Sequence, residues 1–97
     1  MTPKLNNSEI EAGLANLPGW SVEHEKPHRS YKFPNFAYAM GFMMTAAPQI
    51  EKRDHHPEWA NVYNRVTIHL TTHDSGGITK KDLDLATLLE GIAQKLL

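Results

Sequence analysis

Histidine is the one side chain whose ordinary pKa lets it give or take a proton near neutrality. This chain sets two of them side by side, in Glu51-Lys52-Arg53-Asp54-His55-His56-Pro57-Glu58-Trp59. A third, His73, follows in Thr72-His73-Asp74. Carboxylates stand beside all three, and the combination points to proton transfer, one imidazole accepting and another donating. Pro57 biases His56 toward an extended backbone. Neighbours in such a stretch point in different directions, so the two imidazoles reach different parts of one ligand. His73 lies 17 positions after His56, enough for one hairpin to bring it back alongside, and it ends a strand beside a Gly-rich turn, where sites concentrate. Taken singly, each histidine is better explained as a partly exposed cap or turn residue. The doublet with His73 and its flanking acids is what gives chemistry its weight.

Three histidines can also hold zinc, with water as the fourth ligand. The spacing argues against a metal here, since adjacent residues seldom converge on one ion, whereas His-x-x-x-His on a helix does. His24 and His28 flank a hairpin turn and read as solvent-facing. His69 alternates with Ile68 and Leu70, which puts it on the open sheet face, and His73 shares its parity if the strand stays regular. Trp59 serves equally as a pocket wall or a core residue, because its indole needs a partner for one polar edge. Asp82 reads first as the acid of a helix capping box, with the same carboxylate available to orient His73.

These residues need positioning elements, and the chain supplies them in a regular order. Ser8 with Glu11 reads as a capping box, opening a helix with Ile10, Leu14 and Leu17 on one side and Pro18-Gly19 at its end. Trp20 and Val22 alternate, as do Arg29 to Phe33, which predicts a β-hairpin. Asn35 caps a second helix with Phe36, Met40, Met43, Ala47 and Ile50 on one stripe, ending near Asp54. Pro48 removes a backbone donor inside that helix and is expected to kink its last turns. A second hairpin follows, with its turn at Asn64-Arg65 and Val66, Ile68 and Leu70 facing inward. Thr79 and Asp82 form a further cap, opening a helix with Leu85, Leu88, Leu89, Ile92 and Leu96 inward. The order helix-hairpin-helix-hairpin-helix predicts an α+β fold, a four-stranded antiparallel sheet with three helices packed on one face.

Composition bounds the rest. Ninety-seven residues, 40% apolar and 22% charged, describe one globular domain over residues 1–97. The absence of cysteine excludes disulfides and thiolate metal sites. No apolar run approaches the roughly 20 residues of a membrane span, and Met1-Thr2-Pro3-Lys4-Leu5 is not the start of a signal peptide, so the expected location is the cytoplasm. A net charge of −1, with scattered charges, gives no footprint for nucleic acid. Met40, Phe42, Met43 and Met44 put large apolar groups on more than one side of the middle helix, which predicts an oligomer.

Glu51, the Asp54-His55-His56-Pro57 run, Trp59, Val62-Tyr63, Thr72-His73 and Asp82 together resemble the pterin-4a-carbinolamine dehydratases, and the resemblance extends along essentially the whole chain. It implies the same sheet-and-helix architecture, assembled as a homodimer or homotetramer. It implies a hydro-lyase acting on 4a-hydroxytetrahydropterins such as 4a-hydroxytetrahydrobiopterin, the carbinolamines released by aromatic amino acid hydroxylases. Loss of water gives the quinonoid dihydropterin, ready for recycling. By the resemblance His55, His56 and His73 are catalytic. Asp54, His55 and His56 form a first substrate-contacting segment, and Thr71, Thr72, His73 and Asp74 a second. Trp59 is a wall against the flat pterin, and Glu51 and Asp82 are supporting acids. No metal or organic cofactor is implied, the pterin being the substrate. Pro48 and Ser75 depart from many relatives, Pro48 in the helix the family uses for subunit pairing. Animal members also act as dimerization cofactors of a homeodomain transcription factor, so an interaction module, or a pterin-binding protein without turnover, is the alternative reading.

Overall fold

The computed structural model describes residues 2–97, in the order α1 (Asn7–Leu14), β1 (Ser21–Glu23), β2 (Lys26–Lys32), α2 (Phe36–Arg53), β3 (Glu58–Val62), β4 (Arg65–His69) and α3 (Lys80–Gln94), with a single 3-10 turn at His73–Ser75. The four strands form one antiparallel sheet in the order β1-β2-β4-β3, so the two hairpins meet along β2 and β4. The α+β architecture expected from the alternation of periods is what the chain adopts.

Strand parity decides the two faces. Tyr31, Phe33, Val66, Ile68 and Leu70 turn inward and are buried against Ala39, Phe42, Ala46 and Ile50 of α2 and Leu85, Ala86, Leu89 and Ala93 of α3. The Phe42 ring lies 5.4 Å from Tyr31 and 5.2 Å from Phe33, centroid to centroid. Burying such rings contributes the largest share of core stabilisation per residue. The opposite face carries His28, His69 and Glu58 in a row across the strands, fixed by the pairs His28–His69 and Glu58–His69, with Glu23 of β1 on the same face opposite Lys26.

Tyr31 also ties sheet to helix. Its hydroxyl donates to Glu90 of α3, and the Trp20 Nε1–H donates to the same carboxylate at 3.0 Å. Burial alone would raise the Glu90 pKa. The hydrogen bonds from Tyr31, Gln94 and Trp20, with Arg29 nearby, outweigh it and hold the carboxyl below its ordinary value of 4.5.

Four local expectations shift. The first helix is capped by Asn6 with Glu9, not by Ser8 with Glu11, and it ends at Leu14 rather than at Pro18-Gly19. Both pairs satisfy the capping-box spacing, and the earlier one captures the two end donors. In α2 the buried stripe is Ala39, Phe42, Ala46 and Ile50, about one residue round from the expected one, with Met43 packed at its margin. Phe36 and Met44 stay 50% and 71% exposed; two alanines let the helix lie close to its neighbours, and the longer side chains are turned outward. The helix runs through Pro48 to Arg53, and its end near Asp54 is as expected. The second hairpin turns at Tyr63-Asn64, one residue early, with Tyr63 at φ +52°. The Asn64 amide donates to the Phe33 carbonyl, which anchors the turn to the end of β2.

Candidate active site

Asp54 ends α2 in the left-handed conformation, φ 50°, which a short polar residue tolerates. That reversal separates the two histidines behind it. His55 turns inward, its side chain only 13% exposed, and its Nε2 lies 2.7 Å from Asp82 Oδ1. His56 turns outward, with Nε2 3.0 Å from Glu51 Oε1. The divergence expected of neighbours in an extended stretch therefore takes the form of two imidazole–carboxylate pairs, one inside and one out.

Asp82 is fully buried, and every lone pair in use has a donor. Oδ2 accepts from the Thr79 backbone N–H at 2.9 Å, closing the capping box of α3, and from the Thr72 hydroxyl at 2.9 Å. Thr72 and Thr79 hydroxyls are themselves 2.7 Å apart. A carboxylate accepts only, so the nitrogen of His55 that meets it is the protonated one. Asp82 thereby selects the Nε2–H tautomer and leaves Nδ1 of His55 as the acceptor, the same division of labour as in an Asp–His catalytic pair.

Strand β4 ends at His69, and the parity that would turn His73 away from the helices ends with it. Thr72 bridges to Gly77 across a short loop, and His73 begins the 3-10 turn inside that loop. His73 is 81% exposed, with Nε2 3.7 Å from Glu58 Oε2. Lys26 donates to the same Glu58 at 2.6 Å and holds its carboxyl below the usual range. The two segments meet in an open cleft of about 420 Å³ lined by Asp54, His55, His56, Pro57, Glu58, Thr71, Thr72, His73, Asp74 and Lys81. A concavity of about 440 Å³ beside α1, bordered by Ile10, Val22 and Ile78, has no histidine in its wall.

The family model described as pterin 4 alpha carbinolamine dehydratase matches residues 3–92. The chain belongs to this family, whose members are hydro-lyases. Two relatives carry the name "Putative pterin-4-alpha-carbinolamine dehydratase". The one from Solibacter usitatus is 55% identical over 93 residues, covering 96% of this chain and 98% of its own. The one from Rhodopseudomonas palustris is 46% identical over 98 residues, covering 99% and 97%. Among solved structures, the "transcriptional coactivator/pterin dehydratase from Brucella Melitensis" superposes with a TM-score of 0.89 at 44% identity, covering 93% of this chain and 98% of that one.

Within this frame the cleft brings together Asp54, His55, His56, Thr71, Thr72, His73 and Asp74, both segments singled out in the sequence. Trp59 stands apart. It faces the helices, its ring 6.2 Å from Phe42, and borders a separate depression with Ala47, Ile50, Glu51, His56 and Pro57. Asp82 orients His55 and not His73, because the cap of α3 lies under the end of α2. Glu58 and Lys81 line the cleft without having been singled out. Glu58 follows Pro57 at the start of a strand, and Lys81 stands in the first turn after the Thr79 cap, which are the only signals either offers. His28 is half-buried rather than solvent-facing, stacked on His69 at 4.5 Å.

Proposed function

We propose that this chain dehydrates 4a-hydroxytetrahydropterins, with 4a-hydroxytetrahydrobiopterin as the representative substrate, by imidazole acid–base catalysis in the His55–His73 cleft. The observation that carries the reading is the His55–Asp82 pair, a buried carboxylate that fixes one imidazole as a proton acceptor at the wall of an open cleft. In the reaction His55 Nδ1 takes the proton from N5 of the pterin. The N5–H electrons form the C4a=N5 double bond as the C4a–O bond breaks. His73 protonates the departing hydroxyl, so that water leaves and quinonoid dihydropterin remains. His56 holds the 4a-hydroxyl and shares in its protonation, with Glu51 orienting its ring. Buried Asp82 stabilises the imidazolium formed on His55, and the step is neutral overall, one proton entering the protein and one leaving it.

Thr71, Thr72 and Asp74 from one segment and Asp54 from the other supply polar contacts to the amide-like edge of the ring. Lys81 adds a cation at the cleft rim. No metal or organic cofactor takes part in this scheme, and activity is expected to survive exhaustive chelation. The working form is a homodimer or homotetramer in the cytoplasm. Phe36, Tyr38 and Met44 on α2 and Val62 and Tyr63 at the edge hairpin are large apolar groups left exposed, and edge strand β3 keeps one side unpaired. Among the described residues no helix is long and apolar enough to cross a membrane.

The deciding experiment is stopped-flow dehydration of enzymatically generated 4a-hydroxypterin, read above the uncatalysed background. Acceleration by the wild-type chain that disappears in the triple His55, His56 and His73 alanine variant supports the assignment. Equal rates for a folded triple variant overturn it, and the exposed apolar surface then becomes the basis of an interaction module.

A further inference from the structure

The open face of the sheet carries a second cluster that the cleft does not use. Glu23 on β1, His28 on β2 and His69 on β4 each present one donor atom, and these atoms lie within 4.8 Å of one another. His69 Nε2 is 2.9 Å from Glu23 Oε1, and His28 Nε2 is 3.5 Å from Glu23 Oε2. Among the described residues this is the one group of three or more histidine or acidic side chains that converges so closely.

The tautomer of His28 gives the cluster its meaning. Its Nδ1 lies 3.1 Å from the Ile68 carbonyl, an acceptor, so Nδ1 carries the hydrogen. In the neutral ring Nε2 is then a bare lone pair, and it faces a carboxylate oxygen. Two acceptors 3.5 Å apart repel unless a proton or a metal ion lies between them. An imidazole that donates one N–H to a backbone carbonyl and points its other nitrogen at a shared centre is the arrangement found behind metal-ligating histidines. Lys26 is the cross-strand neighbour of Glu23 but is drawn 2.6 Å from Glu58, which leaves the Glu23 carboxylate to the imidazoles.

We propose that Glu23, His28 and His69 form a binding site for a divalent transition-metal ion of the zinc class. Two imidazole nitrogens and one carboxylate suit zinc, cobalt, nickel or copper and not magnesium or calcium, which favour all-oxygen shells. Tetrahedral zinc at bond lengths of about 2.0–2.2 Å needs donors roughly 3.4 Å apart, so the stacked imidazoles, with donor atoms now within 4.8 Å of one another, turn out of stacking on binding while the exposed Glu23 side chain follows. His24, with Nε2 3.8 Å from Glu23 Oε1, stands at the rim where a fourth ligand or water completes the shell. A bound ion would pin the three-residue edge strand β1 to the centre of the sheet. It would lie one residue from the cleft, because Glu58 pairs with His69 and also faces His73.

The test uses the full chain, free of any affinity tag and stripped of metal, titrated with Zn²⁺ by calorimetry and by ¹⁵N NMR of the histidine rings. One zinc per chain is expected, with ring-nitrogen shifts at His28 and His69 and none at His55. His28→Ala, His69→Ala and Glu23→Gln should each weaken binding by at least about ten-fold, and His28→Ala should dehydrate pterin at the wild-type rate. Absence of stoichiometric binding overturns the proposal, as does binding that persists in the His28→Ala/His69→Ala double variant or that shifts His55, His56 or His73 instead. Should a variant misfold, the ring shifts of the wild-type chain still decide the question.

Discussion

At the scale of residues, three imidazoles occupy three environments. His55 is backed by a buried carboxylate, His56 by an exposed one, and His73 stands almost free over Glu58. Removing a general acid or base typically lowers a rate about 10²–10⁴-fold. His55→Ala and His73→Ala are therefore expected to lower kcat by that order, while His56→Ala also raises KM, all measured by stopped flow above the spontaneous rate. Asp82→Asn has a double consequence, since the same side chain caps α3 and orients His55. An amide places its NH₂ against the donors of Thr72, Thr79 or His55, leaving a buried mismatch worth about 1–3 kcal/mol. Urea unfolding should show that loss, and kcat should fall as well. A stability loss with kcat unchanged would leave Asp82 as a cap alone.

Elements set the geometry that these residues exploit, and α3 does so at both ends. Its N-terminus buries Asp82 under the end of α2, and its C-terminal half presents Glu90 to Tyr31 and Trp20 of the sheet layer. Glu90 is held below 4.5 in the folded chain, so its contribution to stability is full above that value and fades as pH falls through the lower folded pKa. The urea midpoint is expected to drop as pH falls below about 4.5, and Glu90→Gln should flatten that drop while lowering stability at pH 7. A Gln variant with the wild-type pH profile would show that other carboxylates carry the acid sensitivity. Non-glycine residues at positive φ set the direction of the chain at the end of α2, Asp54, and in both hairpin turns, His24-Glu25 beside edge strand β1 and Tyr63 beside edge strand β3.

For the whole molecule, one sheet face is covered by the helices except at β1, where Val22 stays 50% exposed, and the other is mainly polar, yet apolar side chains remain exposed on α2 and at the β3 edge. Val62 and Tyr63 are 75% and 64% exposed, more than a monomer gains from. Sedimentation at micromolar concentration is expected to show a dimer or tetramer, and Met44→Glu combined with Val62→Glu should shift it toward the 11.0 kDa monomer without unfolding it. A wild-type chain that sediments only as the monomer removes the self-association reading.

Local order was legible in the residues themselves. The switch between periods of two and 3.6 residues gave four strands and three helices, because burial on one face imposes that alternation wherever the face happens to lie. Asn35 and the Thr79–Asp82 pair marked two helix starts, since caps are made between residues three apart. The His55-His56 doublet and His73 stood out on residue type alone as the candidates for proton transfer. What tertiary structure decided were contacts between residues far apart in sequence. Asp82 meets His55 across 27 positions, a pairing that depends on how α3 docks beneath the end of α2. The buried stripe of α2 turned by one residue because Ala39 and Ala46 permit close approach where larger side chains do not. Glu58, Lys81 and Trp59 found their places through sheet register and helix docking. Glu23, His28 and His69 met only because β1, β2 and β4 align. Periodicity reports which side of an element is buried, but only the register between elements determines which side chains face one another.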